Sequence, residues 1–230
     1  LYGTPIDILN QGSKVMLLAI GMTLVIATGG VDLSVGSVMA IAGAIAAMLV
    51  VQTPAPFALA IAAALGAALL AGFWNGLLTA FAGIQPIVAT LILMVLGRGV
   101  AMLLTGGQIV TFEHEALVFI ANGHLFGLPF TATVVAAVFA ATALLTRKTA
   151  VGLFVEAVGD NAQASRLCGV NARMIKLAAY SFCGFCAGVA GLIATSNIKA
   201  ADSSRVGETM ELDAIFAVVV GGTALSGGRF

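Results

Sequence analysis

The fold is decided by the stretch Leu33–Gly97, which reads LSVGSVMAIAGAIAAMLVVQTPAPFALAIAAALGAALLAGFWNGLLTAFAGIQPIVATLILMVLG. Over 65 residues it contains no Asp, Glu, Lys or Arg. A water-soluble domain carries charged residues on its surface, and this stretch supplies none. Because about 20 apolar residues cross a bilayer as a helix, the stretch predicts three membrane crossings separated by turns at its Pro and Gly clusters.

The rest of the chain has the same character, with 60% hydrophobic residues, 9% charged residues and 28 glycines. This composition predicts an all-α, polytopic transmembrane bundle whose helices pack closely, as a single domain over residues 1–230. The net charge of zero gives no indication of a nucleic-acid partner. The chain begins with Leu1 and stops at Phe230 just after a glycine-rich turn, so we expect a fragment that is incomplete at both ends.

Seven apolar runs predict membrane spans, and the seventh is short. The breaks between them hold Pro, Gly or charged residues, which end helices or favour water. The predicted spans are Val15–Thr28, Gly36–Val51, Phe57–Ala80, Ile87–Leu104, Phe130–Thr146, Leu177–Asn197 and Ala214–Val220.

The distribution of Lys and Arg predicts the orientation. The segment Arg147–Lys176 carries half of the cationic residues, which places it in the cytoplasm by the positive-inside rule. The segment Thr105–Pro129 has none and is expected outside. Alternation then puts the turn Gln52–Pro56 and the segment Lys199–Asp213 outside, and Gly83–Gln85 inside.

Asp32 is the most informative single residue, because it lies between two spans in the string TGGVDLSVG. A charge at the membrane centre costs ~2.5–3.5 kcal/mol on insertion scales, so such residues often have a function. In one interpretation Asp32 caps the following helix by accepting backbone N–H groups, and the glycines permit the break. In the other, Asp32 lies on a substrate path together with Thr28 and Ser34, because broken helices in transporters often face that path. The two interpretations can coexist.

Other polar groups within the spans are candidates for the same path. Arg98 lies inside the fourth span, where its long side chain either reaches a membrane interface or contacts the path. Asn75, Gln85 and Thr90 are uncharged and hydrogen-bond either a substrate or a neighbouring helix. The predicted path residues are Thr28, Asp32, Ser34, Asn75, Gln85 and Arg98.

The cytoplasmic segment Glu156–Val170 predicts a short capped helix. Asp160 or Asn161 suits the N-cap, residues Ala162–Cys168 suit the helix, and Gly169 suits the position after its end. From the residues alone, this helix is either a docking element for a cytoplasmic partner or an ordinary loop helix.

No enzyme site, metal site or cofactor is predicted. His114 and His124 have no matching ligand set, and the chain lacks a Walker A motif for hydrolysing ATP. Cys183 and Cys186 form a C-x-x-C pair, but they lie in an apolar run without a second Cys or His pair, so we expect helix packing rather than redox or zinc chemistry.

Two repeated patterns concern glycine. Pairs of small residues four apart, such as Gly72 with Gly76 and Gly184 with Gly188, predict close contacts between helices. The string GGVDLSVG from Gly29 to Gly36 matches GGTALSGG from Gly221 to Gly228 at five of eight positions. This match is either an internal repeat of the kind found in transporters or chance in a glycine-rich chain.

Together these motifs resemble the membrane-spanning permease subunits of ribose-type bacterial ATP-binding-cassette (ABC) sugar importers, the branched-chain amino acid/ribose permease family. The resemblance covers the whole chain and rests on Gly21–Gly36, Gln85–Leu91, Arg98–Gly99, Glu156–Val170 and Glu211–Arg229. The string Gly-Gly-x-Asp-Leu-Ser-x-Gly is specific to this group. Further strings resemble the branch of galactofuranose permeases: Ile6–Asn10, Gly107–Phe112, Leu145–Ala150 and Gly228–Phe230.

The resemblance implies about ten helices in the type II importer arrangement, of which this chain would lack the first and the last two. It implies alternating access in a multi-pass protein of the bacterial inner membrane. The implied partners are an ATP-binding cassette subunit that hydrolyses ATP, a periplasmic sugar-binding protein and a second permease, identical or different. It also implies that the short cytoplasmic helix is the coupling helix for the ATPase, with the matching residues Glu156, Gly159, Asp160, Asn161, Arg166 and Gly169.

Three alternatives remain beside this interpretation. An ATP-independent secondary transporter or channel would carry coupled ionisable residues in its spans, and only Asp32 and Arg98 stand out. A membrane enzyme would need a clustered catalytic set, which the sequence does not contain. An ABC permease for nucleosides or branched-chain amino acids is related, but the Gly-Gly-x-Asp-Leu-Ser string favours sugars.

Overall fold

A computed structural model describes residues 3–53, 55–125 and 127–230. Leu1, Tyr2, Pro54 and Phe126 therefore lie outside the described part of the chain, and the predicted turn Gln52–Pro56 is described without its first proline. The regular structure is almost entirely helical. The helices are α1 (Gly3–Ala27), α2 (Val35–Gln52), α3 (Phe57–Ala80), α4 (Pro86–Leu104), α5 (Glu115–Asn122), α6 (Phe130–Lys148), α7 (Ala150–Asp160), α8 (Ala162–Leu167), α9 (Ala172–Ile198) and α10 (Met210–Val220).

Six of these helices, α1 to α4, α6 and α9, are long and apolar enough to cross a membrane, counted over the described residues. They correspond to the first six predicted spans, which confirms a polytopic helical bundle. The seventh predicted span is wrong, because the 11 residues of α10 extend only about 16 Å, roughly half of the hydrocarbon thickness. The loop that precedes α10 lies within the bundle, where Gly207 packs on Gly36 at the start of α2. Helix α10 therefore begins inside the bundle rather than at its outer end.

The core forms around α9, which packs against α1, α2 and α3. Glycines allow these helices to approach closely. A Cβ at Gly184 would lie 2.9 Å from the Gly72 Cα, and a Cβ at Gly188 would lie 2.6 Å from the Ala68 Cβ. The predicted packing role of the small residues is confirmed at these positions.

The connecting segments gather at two ends of the bundle. At one end, strand β1 (Val110–Thr111) pairs with β4 (Ala200–Ala201), and the Asn10 amide donates to the Ala121 carbonyl oxygen at 3.1 Å. Strands β2 (His124–Leu125) and β3 (Leu128–Pro129) form a second small pair in the same loop region. These are the segments that alternation assigned to the outside, so they do share one end. Which end faces the cytoplasm stays a prediction from the Lys and Arg distribution.

Two helices appear where loops were predicted. Helix α5 lies in the segment Thr105–Pro129, and α7 lies in the segment Arg147–Lys176, with Gly152, Val155 and Val158 buried on one face. Helix α1 also starts at Gly3, well before the predicted Val15, because polar side chains such as Asn10 find partners at the bundle end rather than ending the helix.

Candidate functional site

The chain breaks between α1 and α2 at the Thr28–Ser34 segment. Helix α1 ends in a turn in which the Gly29 N–H donates to the Ile26 carbonyl oxygen and the Gly30 N–H to that of Val25. Gly29 has a φ of +79°, which a residue with a side chain adopts only with strain. Gly30 lies directly under the Tyr180 hydroxyl, where a Cβ would collide with it. The two glycines are therefore required for the break.

This break places a carboxylate in the protein interior. Asp32 is 1% exposed, and its Oδ1 accepts hydrogen bonds from the Ser34 N–H at 2.9 Å, the Ser34 hydroxyl at 2.6 Å and the Asn75 amide at 3.3 Å. The Asn75 amide also donates to the Ser34 hydroxyl oxygen at 2.9 Å. The carboxylate therefore orders the entry to α2 and ties it to α3. The predicted capping bond to the first turn of α2 is not among these contacts, because the N–H that Asp32 accepts belongs to Ser34, the N-cap residue that precedes the helix.

Helix α9 supplies two further members of this site. Cys183 lies near the Asp32 carboxyl group, and the Tyr180 hydroxyl lies against Gly30. We call Asp32, Ser34, Asn75, Tyr180 and Cys183 the Asp32 cluster.

The Asp32 cluster contains polar atoms with unused bonding capacity. Asn75 Oδ1 and the Tyr180 hydroxyl are buried and have no hydrogen-bond partner in the described part of the chain. Such atoms are rare in proteins and call for a water, a ligand or a change of conformation. The cluster is closed to solvent in this conformation, so a substrate would reach it only after the helices move apart.

The sequence missed Tyr180 and Cys183 as members of the cluster. Cys183 was assigned to packing, and it does pack: Gly21 of α1 lies on it and on Cys186, with a Cβ at Gly21 only 3.1 Å from the Cys186 Cβ. Both Cys183 and Cys186 are free and buried. Two features of the sequence point to Tyr180 and Cys183. They are three residues apart and so share one face of α9, and a Tyr hydroxyl in an apolar span needs a hydrogen-bond partner.

The six predicted path residues do not form one group. Asp32, Ser34 and Asn75 come together in the Asp32 cluster. The Thr28 hydroxyl donates to the Val25 carbonyl oxygen at 2.8 Å in the turn that follows α1. Gln85 is an exposed N-cap residue of α4 whose side chain makes no capping bond. Thr90 joins α4 to the break through a 3.4 Å bond from its hydroxyl to the Val31 carbonyl oxygen.

Arg98 belongs to a different part of the molecule. Its Nη1 donates to the carbonyl oxygens of Ser203 at 3.1 Å and Val206 at 2.6 Å, in the loop between β4 and α10. The Thr105 hydroxyl reaches the same loop, 3.2 Å from the Ser203 hydroxyl. We call Arg98, Thr105 and the segment 202–207 the Arg98 loop. One guanidinium nitrogen of Arg98 is thus bound by backbone carbonyl groups of a loop that lies in the segment predicted to be outside.

The segment that the Lys and Arg distribution assigns to the cytoplasm forms the predicted short helix, with Asn161 rather than Asp160 as its N-cap. Asn161 Oδ1 accepts the N–H groups of Gln163 at 3.0 Å and Ala164 at 2.9 Å. Gly169 follows the helix with a φ of +86°, as its position predicted. Helix α8 is largely exposed, and its exposed Arg166 borders a surface cavity together with Phe81 and Arg173. Glu156 on α7 borders a different cavity of about 680 Å³ between α1, α6, α7 and α10.

The structure shows no group of three or more His, Cys, Asp or Glu side chains that could hold a metal ion, within the described ranges.

The sequence matches the family described as branched-chain amino acid transport system / permease component over residues 4–229. It is 55% identical to the galactofuranose transporter permease protein of Escherichia coli (strain K12), over the whole chain and 67% of that relative. It is 42% identical to the fructose import permease protein of Bifidobacterium longum (strain NCC 2705), over the whole chain and 65% of the relative. It is also 42% identical to the ribose import permease protein of Escherichia coli (strain K12), over 97% of the chain and 70% of the relative.

The chain thus spans about two thirds of the length of these relatives. No solved structure is significantly similar to it. The family match covers almost every residue, including the broken α1–α2 connection and the capped helix α8. The chain therefore belongs to the branched-chain amino acid transport system / permease component family and is a multi-pass membrane protein.

Proposed function

We propose that this chain is a permease subunit of an ABC importer that carries a monosaccharide across the bacterial inner membrane by alternating access. The substrate that we propose is galactofuranose or a related furanose or pentose. The observation that carries this proposal is the 55% identity, over the whole chain, to a galactofuranose transporter permease. Fructose and ribose import permeases follow at 42% identity, which favours a sugar over an amino acid.

The proposed partners are an ATPase subunit, a periplasmic sugar-binding protein and a second permease. Helix α8 supports an ATPase contact, because it is an exposed, well-capped element beside the bundle. The residues proposed for this contact are Glu156, Gly159, Asp160, Asn161, Arg166 and Gly169. ATP hydrolysis takes place on the partner chain, and closure of the ATPase dimer pushes α8 and tilts the spans.

The substrate path is proposed to pass the α1–α2 break. The unpaired Asn75 Oδ1 and Tyr180 hydroxyl are polar groups that sugar hydroxyls could bind when the helices separate. Thr28, Gln85 and Arg98 remain proposed path residues on sequence grounds. An Asp32→Asn variant tests the role of the charge, because the amide oxygen can still accept the cluster's hydrogen bonds. If this variant transports normally, Asp32 serves as a cap only.

The experiment reconstitutes the full-length permease with its ATPase and binding protein in proteoliposomes and measures the uptake of labelled galactofuranose, fructose and ribose with and without ATP. We expect ATP-dependent uptake of one of these sugars and stimulation of ATP hydrolysis by the sugar-loaded binding protein. Uptake by the permease alone, without ATP, would instead indicate a secondary transporter. ATP-dependent uptake of a branched-chain amino acid or a nucleoside, and of no sugar, would contradict the proposed substrate class.

A further inference from the structure

The last turn of α7 lies directly on the end of α1. A Cβ at Gly159 would collide with the Ala27 carbonyl oxygen and would lie 2.5 Å from the Gly228 nitrogen. The Gly228 N–H donates to the same Ala27 carbonyl oxygen at 3.0 Å. Three segments that are distant in sequence therefore meet backbone to backbone, without intervening side chains.

A second contact closes this arrangement. Gly227 has a φ of +85°, and a Cβ there would lie 2.9 Å from the Gly29 nitrogen and 3.1 Å from the Gly159 carbonyl oxygen. We call Ala27, Gly29, Gly159, Gly227 and Gly228 the glycine junction. The two strings that resemble each other in sequence, one at the break and one after α10, are thus in contact here.

The glycine junction is firmly joined to α8. The buried Ser165 of α8 donates its hydroxyl to the Ala157 carbonyl oxygen of α7 at 2.8 Å. The Asn161 N–H donates to the same oxygen at 3.0 Å. The last turn of α7 and the short helix after it therefore form one unit, and Gly159 lies within that unit.

On its other side, the junction leads directly to the Asp32 cluster. Ala27 and Gly29 are only a few residues before Asp32, and the intervening Gly30 is fixed beneath the Tyr180 hydroxyl. A displacement of α7 that moves the Ala27 carbonyl group therefore also moves the backbone that positions the carboxylate.

We propose that the glycine junction transmits the movement of α8 to the α1–α2 break as a rigid relay, with Gly159 as its positioning residue. This inference rests on the proposed function, because it assumes that an ATPase acts on α8. Closely packed backbone groups have few alternative arrangements, so a push at one side is passed on rather than absorbed.

The first test replaces Gly159 by Ala in the full-length permease, assembled with its ATPase and binding protein in proteoliposomes. The added methyl group forces α7 away from the end of α1. We expect the amount of sugar taken up per ATP hydrolysed to fall by about tenfold, within the range of measured coupling between sites. The matched control is Gly99→Ala, also a glycine in a helix, where a Cβ meets no atom within 4 Å and the ratio should not change.

The ratio separates a relay from a merely structural role. A structural defect lowers uptake and ATP hydrolysis together, because fewer complexes are active, and leaves their ratio unchanged. A wild-type ratio in Gly159→Ala contradicts the relay alone. Absence of ATP-driven uptake in the unmodified complex contradicts the proposed function and the relay with it.

A second test asks whether the glycine junction moves as one body. This test does not depend on whether the Gly159→Ala variant folds. Asp160 and Gly228 are replaced by Cys in a Cys168→Ser background, because a Cβ at Gly228 would lie 3.3 Å from the Asp160 Cβ, slightly below the usual spacing of a disulfide. Gly228 has a φ of +86°, so its replacement strains the backbone in the oxidised and the reduced form alike, and the comparison is made between these two forms of one variant. In a rigid relay, uptake per ATP is the same for the oxidised and the reduced form of this variant. A fall on oxidation that reducing agent reverses would show that the junction opens during transport and would overturn the proposal.

Discussion

The Asp32 cluster and the Arg98 loop both hold a charged side chain inside the bundle, but they satisfy it in different ways. Asp32 is almost fully buried, and side chains from α3 and α9 surround it. Arg98 is half-buried and is bound by two backbone carbonyl groups of a single loop. The two regions are neighbours at the start of α2, because a Cβ at Gly207, in the Arg98 loop, would lie 2.5 Å from the carbonyl oxygen of Gly36, two residues after Ser34.

This difference indicates what each charge controls. The Asp32 carboxylate lies among buried side chains at the start of α2, on α3 and on α9, so we expect a defect there to extend through the core. The guanidinium fixes the path of one loop, so a defect there should remain local.

The largest effect is expected for Ser34→Ala. This change removes the 2.6 Å hydrogen bond to the carboxylate and also the acceptor for the Asn75 amide. Hydrogen bonds to charged groups contribute about 1.5–3 kcal/mol, so we expect a loss of that size in the free energy of unfolding. The measurement is the thermal midpoint of the purified permease in detergent.

Ser37→Ala is the matched control for Ser34→Ala, because Ser37 is also buried and lies three residues further along, in the first turn of α2. Its hydroxyl donates to the carbonyl oxygens of Ser34 and Leu93 and makes no bond to a charged group. We expect a smaller loss for this control. The cost of Ser34→Ala should also shrink in an Asp32→Asn background, since the charge is then absent. Equal losses for Ser34→Ala and Ser37→Ala would remove the contrast between a charged and a neutral site.

Arg98→Ala comes next, and its effect is expected to be local. The change leaves the Ser203 and Val206 carbonyl groups without their donor, at a cost of about 1–3 kcal/mol for an unpaired buried polar group. We expect faster amide hydrogen exchange in the segment 202–209 and wild-type exchange around Asp32. Arg98→Lys should be intermediate, because an ammonium group lacks the fixed geometry of the guanidinium. Faster exchange around Asp32 in Arg98→Ala would show that the two regions form a single unit.

The sequence predicted the local features of these regions well. The third span, Phe57–Ala80, has the predicted bounds, and the Asn161 cap and Gly169 follow from rules that depend on neighbouring residues only. Asp32 was identified because a charge between two apolar runs is conspicuous. Each of these features is determined by residues that are close together in the sequence, so a single stretch is enough to predict it.

The long-range features could not be predicted in the same way. Arg98 binds carbonyl groups more than 100 residues further along the chain, and every residue offers such a group, so no sequence pattern marks them. The sequence predicts a loop where α7 lies, because flanking charges and the lack of a long apolar run obscure the helix's buried face. It predicts a span where the short α10 lies, because apolar residues do not reveal whether a segment crosses the membrane or ends inside the bundle.

A smaller effect is expected where the Arg98 loop meets α4 through neutral groups. The hydroxyl groups of Thr105 and Ser203 are buried and lie 3.2 Å apart. A double-mutant cycle with Thr105→Val and Ser203→Ala should give a coupling of about 0.5–1.5 kcal/mol in thermal unfolding, the usual contribution of a neutral hydrogen bond. Thr133→Val, which loses only a bond within its own helix, serves as the control and should show no coupling to Ser203→Ala. A coupling as large as the Ser34→Ala loss would contradict the ranking of charged over neutral contacts.

The smallest effect concerns Asp202 at the start of the Arg98 loop. Its Oδ1 accepts from the Ser204 hydroxyl at 2.5 Å, the Ser204 N–H at 3.0 Å and the Arg205 N–H at 3.2 Å. The bond from the Ser204 hydroxyl is the main reason why the pKa of Asp202 lies below its ordinary value of 3.8.

A carboxyl group whose pKa is lower in the folded state stabilises the fold above its unfolded pKa, and this contribution is lost as the pH falls through the folded value. We therefore expect the amide protection of Ser204 and Arg205, corrected for intrinsic exchange, to be constant near neutral pH and to fall only below 3.8. Asp202→Ala should lower this protection at neutral pH and remove its pH dependence, and the Asp32 cluster should be unaffected. If the protection of these two amides is the same in Asp202→Ala as in the wild type, the loop is held by Arg98 alone, and the contrast between the two regions becomes simpler still.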